Sequence, residues 1–355
     1  MTTLYPGFST ERMDEIFSLS SRVSAMAAVE AAVAAAQGAA DDIPTDAAAA
    51  IVAACAEPID VAILAAGWQV GTPVLGLLDA LRARLPGNAV PFLHRSLTTQ
   101  DVVDTAAMLL ARDAMHHLDE LARSAAESMR GIIRQFGSVA TQARSFLQSA
   151  DVTTVGFRTA RWVSQLDQVR GRRTVTPVQI GGLIGDRMGI SDEISHAAAR
   201  QLGLDDRLPW HTNRAPIIEV TTHVNDFARW ADKVGGDIAQ LVQLGEITTR
   251  AGGSSAAVGK RNPIDSMRAM AAAEACLGVS TIITHAKPHE LERGLGSWHA
   301  EWFALPLVFQ TAGAAMEAIA TAIASLEVEP SALVVADDRR AAADSYVTSI
   351  LEQSP

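Results

Sequence analysis

The sequence predicts an all-α protein built around a bundle of long helices. Three observations predict it. Apolar residues recur at spacings of three and four over stretches far longer than a strand. Hydrophobic residues make up 48% of the chain and aromatic residues only 5%, with alanine throughout, which suits helices packed through small side chains. Little of the chain alternates apolar and polar residues, as a half-buried strand does.

The elements follow in order. Residues 9–40 read as one helical stretch, with Ile16, Leu19, Val23, Met26, Val29 and Val33 along one face. Asp41-Asp42-Ile43-Pro44 stops it, Thr45 is placed to cap a second helix running to about Cys55, and Ile59 to Trp68 opens a third. Pro73, Pro86, Gly87 and Pro91 break the next stretch, so a small N-terminal helical domain is expected over 1–93. Val103, Ala107, Leu110, Ala114, Leu118, Leu121, Ala125, Met129, Ile132 and Phe136 then keep the helical period, over about 34 residues or roughly 50 Å. Residues 153–175, 213–246, 263–286 and 299–327 supply the other helices of a central domain over 94–330, and 331–355 reads as a short helical tail. Several helix faces stay apolar through alanine and valine, so other subunits are expected to cover them.

Composition excludes some functions. The 355 residues carry a net charge of −11, which argues against nucleic acid and anionic membrane as partners. An anionic substrate then needs a local cationic pocket. Cys55 and Cys276 are the only cysteines, and both read as buried free thiols in a reducing cytosol. No cysteine–histidine spacing suggests a metal, and no cofactor is expected. Acidic residues come by position 11 with no apolar signal core, and no apolar run reads as membrane-spanning, so a soluble cytoplasmic protein is expected.

Four stretches carry candidate chemistry. Gly252-Gly253-Ser254-Ser255-Ala256-Ala257-Val258-Gly259-Lys260-Arg261-Asn262-Pro263 is a small-residue loop ending in a cation. Asn262 reads there as a helix N-cap and Pro263 as the first helical residue. Such a helix start favours anions, whereas the plainer reading is a glycine-rich linker. His94-Arg95-Ser96-Leu97-Thr98-Thr99-Gln100-Asp101 opens the longest helix with three consecutive hydrogen-bonding side chains, an anion cradle or ordinary capping. Arg144-Ser145-Phe146-Leu147-Gln148-Ser149 precedes the next helix, with a solvated loop as its plainer reading. His289 to Trp302 packs two tryptophans, two histidines, one arginine and three glutamates around glycines, which is loop chemistry rather than core composition. His116, His117, His196 and His285 read as surface or packed residues.

Together these stretches resemble the fumarase/aspartase superfamily, whose Gly-Ser-Ser-x-Met-Pro-x-Lys-x-Asn-Pro motif the serine loop follows. Within it the chain resembles the bacterial 3-carboxy-cis,cis-muconate cycloisomerases. Glu292-Arg293, Trp298-His299-Ala300-Glu301-Trp302, Trp210-His211-Thr212 with Arg214, and the opening Phe8 to Ala32 carry that likeness. The resemblance implies a long central helical bundle with a small N-terminal helical domain and a reduced C-terminal one. It implies a carboxylate adding intramolecularly across a double bond to give a lactone. Ser254 would move the proton, with Lys260 and Asn262 favouring its alkoxide. His94, Thr98, Thr99, Gln100 and Gln148 would contact substrate, and Arg293 is the candidate carboxylate clamp. A homotetramer with sites shared between subunits, acting on a small tricarboxylate, is also implied. Two features depart from the pattern: Ala257-Val258 replaces Met-Pro, and Ser149 stands where the lyases place an acid/base histidine. A cycloisomerase tolerates that loss, because its nucleophile is already ionised at pH 7. A cycloisomerase for a sulfo-substituted muconate, a β-elimination lyase releasing fumarate and a catalytically inactive binding oligomer are the alternatives.

Overall fold

The computed structural model describes residues 5–257, 259–329, 333 and 341–352. Most of the expected tail junction, and Val258 in the serine loop, lie outside the described residues. The chain folds as an all-α protein. In order come α1 (Glu11–Ile16), α2 (Leu19–Ala39), α3 (Thr45–Ala56), α4 (Ala62–Gln69), α5 (Val74–Arg82), α6 (Thr99–Phe136), the strands β1 (Ala140–Ser145) and β2 (Gln148–Thr154), α7 (Val155–Arg170), α8 (Asp192–Leu202) and α9 (Ala215–Gln243). The short β3 (Ile247–Thr248), α10 (Ile264–Thr284), α11 (Ser297–Ala324), β4 (Glu327–Val328) and α12 (Ala341–Glu352) complete it.

The bundle is α6, α7, α9, α10 and α11. Helix α6 holds 38 residues, roughly 57 Å at 1.5 Å per residue, and buries Val102, Leu109, Ala114, Leu118, Ala125 and Met129 along one stripe. Antiparallel α9 and α10 are joined by hydrogen bonds such as Asn225 Nδ2 to Ser280 Oγ at 2.9 Å. The bundle therefore has two ends. One gathers the starts of α6, α9 and α11. The other gathers the ends of those helices, the start of α10 and the β1–β2 hairpin.

The structure corrects several readings. The stretch 9–40 breaks at Phe17-Ser18, where Ser18 Oγ accepts the Ser21 amide at 3.1 Å and starts α2. Thr45 is the first residue of α3, and Pro44 holds the cap position without a side-chain bond. Helix α8, in a stretch to which the sequence pattern assigns no element, follows the cap Ser191, whose Oγ accepts from Ile194 N at 3.2 Å, and is ended by a left-handed Gly203. The stretch 144–149, whose plainer reading is a solvated loop, is the largely exposed tip of a β1–β2 hairpin over 140–154. Three helices do reach membrane-spanning length and composition: Leu19–Ala39, Ile264–Thr284 and Ser297–Ala324, with mean hydropathy 1.2, 1.2 and 1.4. Alanine raises those values, and α11 carries Glu301, Gln310 and Thr311 buried inside the protein. Helix α10 is the outlier, with only 33% of its apolar window buried.

Candidate active site

At the first end, Thr98 is the extended residue before α6, and its amide donates to Asp101 Oδ2 at 3.0 Å. Asp101 is fully buried and collects four more donors. They are Gly181 N and Gly182 N, each at 2.9 Å, Gln179 Nε2 at 3.2 Å and His211 Nε2 at 3.1 Å. One satisfied carboxylate thus clamps a glycine loop and a histidine onto the helix start. His94 and Ser96 take left-handed backbone angles, φ 59° and 61°. His94 Nδ1 lies 2.6 Å from Glu30 Oε1, whose side chain is buried.

One turn along α6 lies a buried ion cluster. Arg214 reaches Asp104 at 2.7 and 3.1 Å and Glu301 at 3.1 and 2.5 Å. Trp298 Nε1 donates to Asp104 Oδ1 at 2.9 Å. Gln100 Nε2 donates to Asp104 Oδ2 at 3.0 Å and to the His211 carbonyl at 2.8 Å. Burial alone would lower the Arg214 pKa, but Asp104 and Glu301 outweigh it and hold the guanidinium above the ordinary arginine range. His289 sits 3.5 Å from Glu301 with neither ring nitrogen hydrogen-bonded to a described residue, and burial followed by Arg214 pushes its pKa down. Gly294 permits that packing, since a Cβ there would fall 2.6 Å from the His289 ring.

Arg293 lies over this helix start. Its Nη2 donates to Thr98 Oγ1 at 2.7 Å and to the Leu183 carbonyl at 3.1 Å. Thr99 accepts from Thr72 Oγ1 at 3.4 Å. So one chain brings the His94–Asp101 and His289–Trp302 stretches together, which the rod lengths alone did not suggest. Gln100, expected to face substrate, is fully buried and spends its amide protons on Asp104 and His211.

The other end is open. Ser145 pairs with Gln148, so Phe146 and Leu147 form a two-residue turn, with φ 50° and 63°. Such a turn suits Asn-Gly, and two bulky residues there are strained. Phe146 is 98% exposed, and Gln148 and Ser149 are exposed beside it. The hairpin base is anchored by buried Glu246, which accepts from Thr141 Oγ1 at 2.9 Å and pairs with Arg144 at 2.6 Å and Arg158 at 3.1 Å. Gly252 and Asn262 exchange both backbone bonds, 2.9 and 3.1 Å, and close a neck under the serine loop. Ser254 Oγ accepts the amides of Ala256 and Ala257 at 3.3 and 3.0 Å. Lys260 is exposed.

The expected capping by Asn262 is corrected. Pro263 has ψ 72° and precedes α10, which starts at Ile264. Asn262 is held in the neck and turns its amide to the Gly253 carbonyl at 3.0 Å instead. The two ends lie apart by the length of α9, 29 residues or roughly 43 Å. His94, Thr98, Thr99, Gln100 and Arg293 occupy one end; Gln148, Ser149, Ser254, Lys260 and Asn262 occupy the other.

The family model described as Lyase matches residues 5–278. The chain belongs to this lyase family, in the fumarase/aspartase superfamily. A 3-carboxy-cis,cis-muconate cycloisomerase of Acinetobacter baylyi is 31% identical over 92% of this lyase and 78% of its own length. A nitrosuccinate lyase of Streptomyces davaonensis is also 31% identical, over 86% and 70%. The crystal structure of a 3-carboxy-cis,cis-muconate lactonizing enzyme from Pseudomonas putida superposes with a TM-score of 0.82 at 29% identity, covering 92% of this chain and 77% of that one.

Glu30, Asp101, Asp104, Arg214, Glu301 and Glu246 order the lyase's two ends, yet sequence reading assigns none of them a role. The spacing of Thr98 and Asp101 is a capping-box signal that marks one of them. Among the described residues no group of three or more His, Cys, Asp or Glu is placed to hold a metal ion. Burial pushes Cys55 and Cys276 up to about 12, which makes them poor nucleophiles.

Proposed function

We propose that this lyase is a cycloisomerase interconverting 3-carboxy-cis,cis-muconate and 4-carboxymuconolactone in aromatic catabolism, as a cytoplasmic homotetramer. The observation that carries the reading is the bond from Arg293 to Thr98. It puts the cation of the Glu292–Trp302 segment beside the capped N-terminus of α6, where a substrate carboxylate would replace the threonine hydroxyl or share it.

The chemistry follows from the residues. Arg293, Thr98, Thr99 and His94 hold the substrate's carboxylates, while Gln148 and Asn262 fix its other edge. One carboxylate adds to the double bond, and the electron pair moves onto a neighbouring carboxyl as an aci-carboxylate. Ser254 delivers the proton to the adjoining carbon and becomes an alkoxide, which the Ala256 and Ala257 amides and Lys260 favour. Ser149 replaces an acid that this reaction does not need, because the nucleophile is internal and held close. The two halves lie at opposite ends of one chain, so each site draws on more than one subunit. The poorly buried α10, with Met267 and Ile282 exposed, offers surface for such an assembly.

Incubation with 3-carboxy-cis,cis-muconate tests the reading. Loss of the diene absorbance with lactone formation is expected, and no turnover at millimolar substrate would overturn it. The 31% identity to a nitrosuccinate lyase supports a second reading, elimination to fumarate. Fumarate from a substituted succinate, with no lactone from muconate, would establish that one instead.

A further inference from the structure

A cavity of about 240 Å³ lies between the N-terminal helices and the bundle, walled mainly by apolar side chains such as Phe17, Met26, Val103 and Leu305. Arg293 and Thr98 do not border it. Its polar rim is one-sided. The Asp104 and Glu301 carboxylates on its wall are already taken by Arg214, Gln100 and Trp298. What remains unmatched is a set of donors. The indole N–H of Trp302 is buried with no partner among the described residues. Arg22 reaches the cavity, and among the described residues its guanidinium makes a single hydrogen bond, Nε to the Phe17 carbonyl at 3.1 Å. Among the described residues no carboxylate pairs with it.

That arrangement is costly as it stands. A partly buried guanidinium without a counter-charge loses hydration and gains little. Arg22 also sits in the first turn of α2, where the helix dipole disfavours a cation. Burial pulls its pKa below the ordinary arginine range, and no acidic group opposes the shift. An anion with an apolar body would satisfy both donors and fill the apolar walls.

We propose that this cavity is a binding site for a small monocarboxylate with a compact ring or branched apolar body, its carboxylate held by Arg22 and the Trp302 indole. A tricarboxylate does not fit, because one cation and apolar walls cannot match three charges. The cavity shares the Asp104 and Glu301 wall with the Arg293 end but is not bordered by Arg293 or Thr98, so it is a distinct pocket, and the inference does not rest on the proposed reaction.

Benzoate is a suitable probe, with benzamide as its uncharged counterpart. Calorimetric titration of the whole protein in its own assembly should show one benzoate per chain, bound at least about tenfold more tightly than benzamide. Arg22→Gln should weaken benzoate about tenfold or more and leave benzamide unchanged. Trp302→Phe, which keeps a ring and removes the N–H, should weaken benzoate by a smaller factor, and it decides the matter if Arg22→Gln fails to fold. Arg293→Gln should leave benzoate binding unchanged. Equal affinity for benzoate and benzamide would overturn the proposal, as would insensitivity to both Arg22→Gln and Trp302→Phe. Benzoate binding abolished by Arg293→Gln would place it at the other site and overturn it too. No saturable binding at millimolar benzoate, as when a second copy of the chain fills the cavity, would also overturn it.

Discussion

The two ends of the bundle are built on opposite principles. At the α6 start, Asp101 has five donors and Arg214 is forked between two buried carboxylates. At the far end, a strained Phe146-Leu147 turn stands in solvent and the serine loop is closed by its own neck. A single chain therefore completes the carboxylate-holding half of the proposed site and leaves the proton-moving half exposed. The difference teaches where stability and chemistry lie. Substitutions in the buried ion cluster of the first end should cost folding, and those in the serine loop of the second should cost turnover.

Ser254→Ala gives the largest expected effect. It should lower kcat by about 10²–10⁴-fold, the usual worth of a positioned proton donor, with an unchanged melting temperature. Loss of less than about tenfold, under 1.4 kcal/mol of barrier, would remove Ser254 from the reaction.

Arg214→Ala sharpens the stability side. It strands Asp104 and Glu301 in the interior, and urea unfolding should show a loss of about 3–5 kcal/mol. Arg158→Ala at the other end should cost far less, since Glu246 keeps Arg144 and Thr141. Equal losses would break the contrast between the ends.

Replacing Phe146-Leu147 by Asn-Gly should relieve the turn. Calorimetry should show the single chain gaining on the order of 1 kcal/mol or more, while light scattering shows weaker assembly. The smallest effect concerns pH. His289 is held neutral by burial, so its folded pKa lies below the unfolded value of about 6.5. The unfolded chain then takes up the proton first, and stability should fall as pH drops below about 6.5 towards the folded pKa. His289→Gln should flatten that slope in denaturant titrations at pH 5–7.

Legibility in the sequence followed the range of the forces. The long helices show directly, because each periodic stripe is local, and the period ends at Phe136 where α6 ends. The start of α6 is readable from Thr98 and Asp101. The hairpin is not, because its turn lacks the glycine or asparagine that would mark it. The break at Ser18 is hidden inside an uninterrupted apolar pattern. Asn262 and Pro263 satisfy the local rule for a helix start, but a cross-strand pairing with Gly252 overrides it. The Arg214–Asp104–Glu301 cluster joins residues 110 and 87 positions apart, which no local pattern discloses. The four motif stretches are legible as a set, but their separation onto opposite ends of the bundle needs the fold.

The central claim is that one active site takes its two halves from different chains. Ser254→Ala and Arg293→Ala each disable one end, and each should be nearly inactive alone on 3-carboxy-cis,cis-muconate. Unfolded together and refolded as mixed oligomers, they should recover a clear fraction of wild-type activity, because some sites then contain neither substitution. No recovery in oligomers proven to be mixed, or a fully active monomer by light scattering at micromolar concentration, would contradict it.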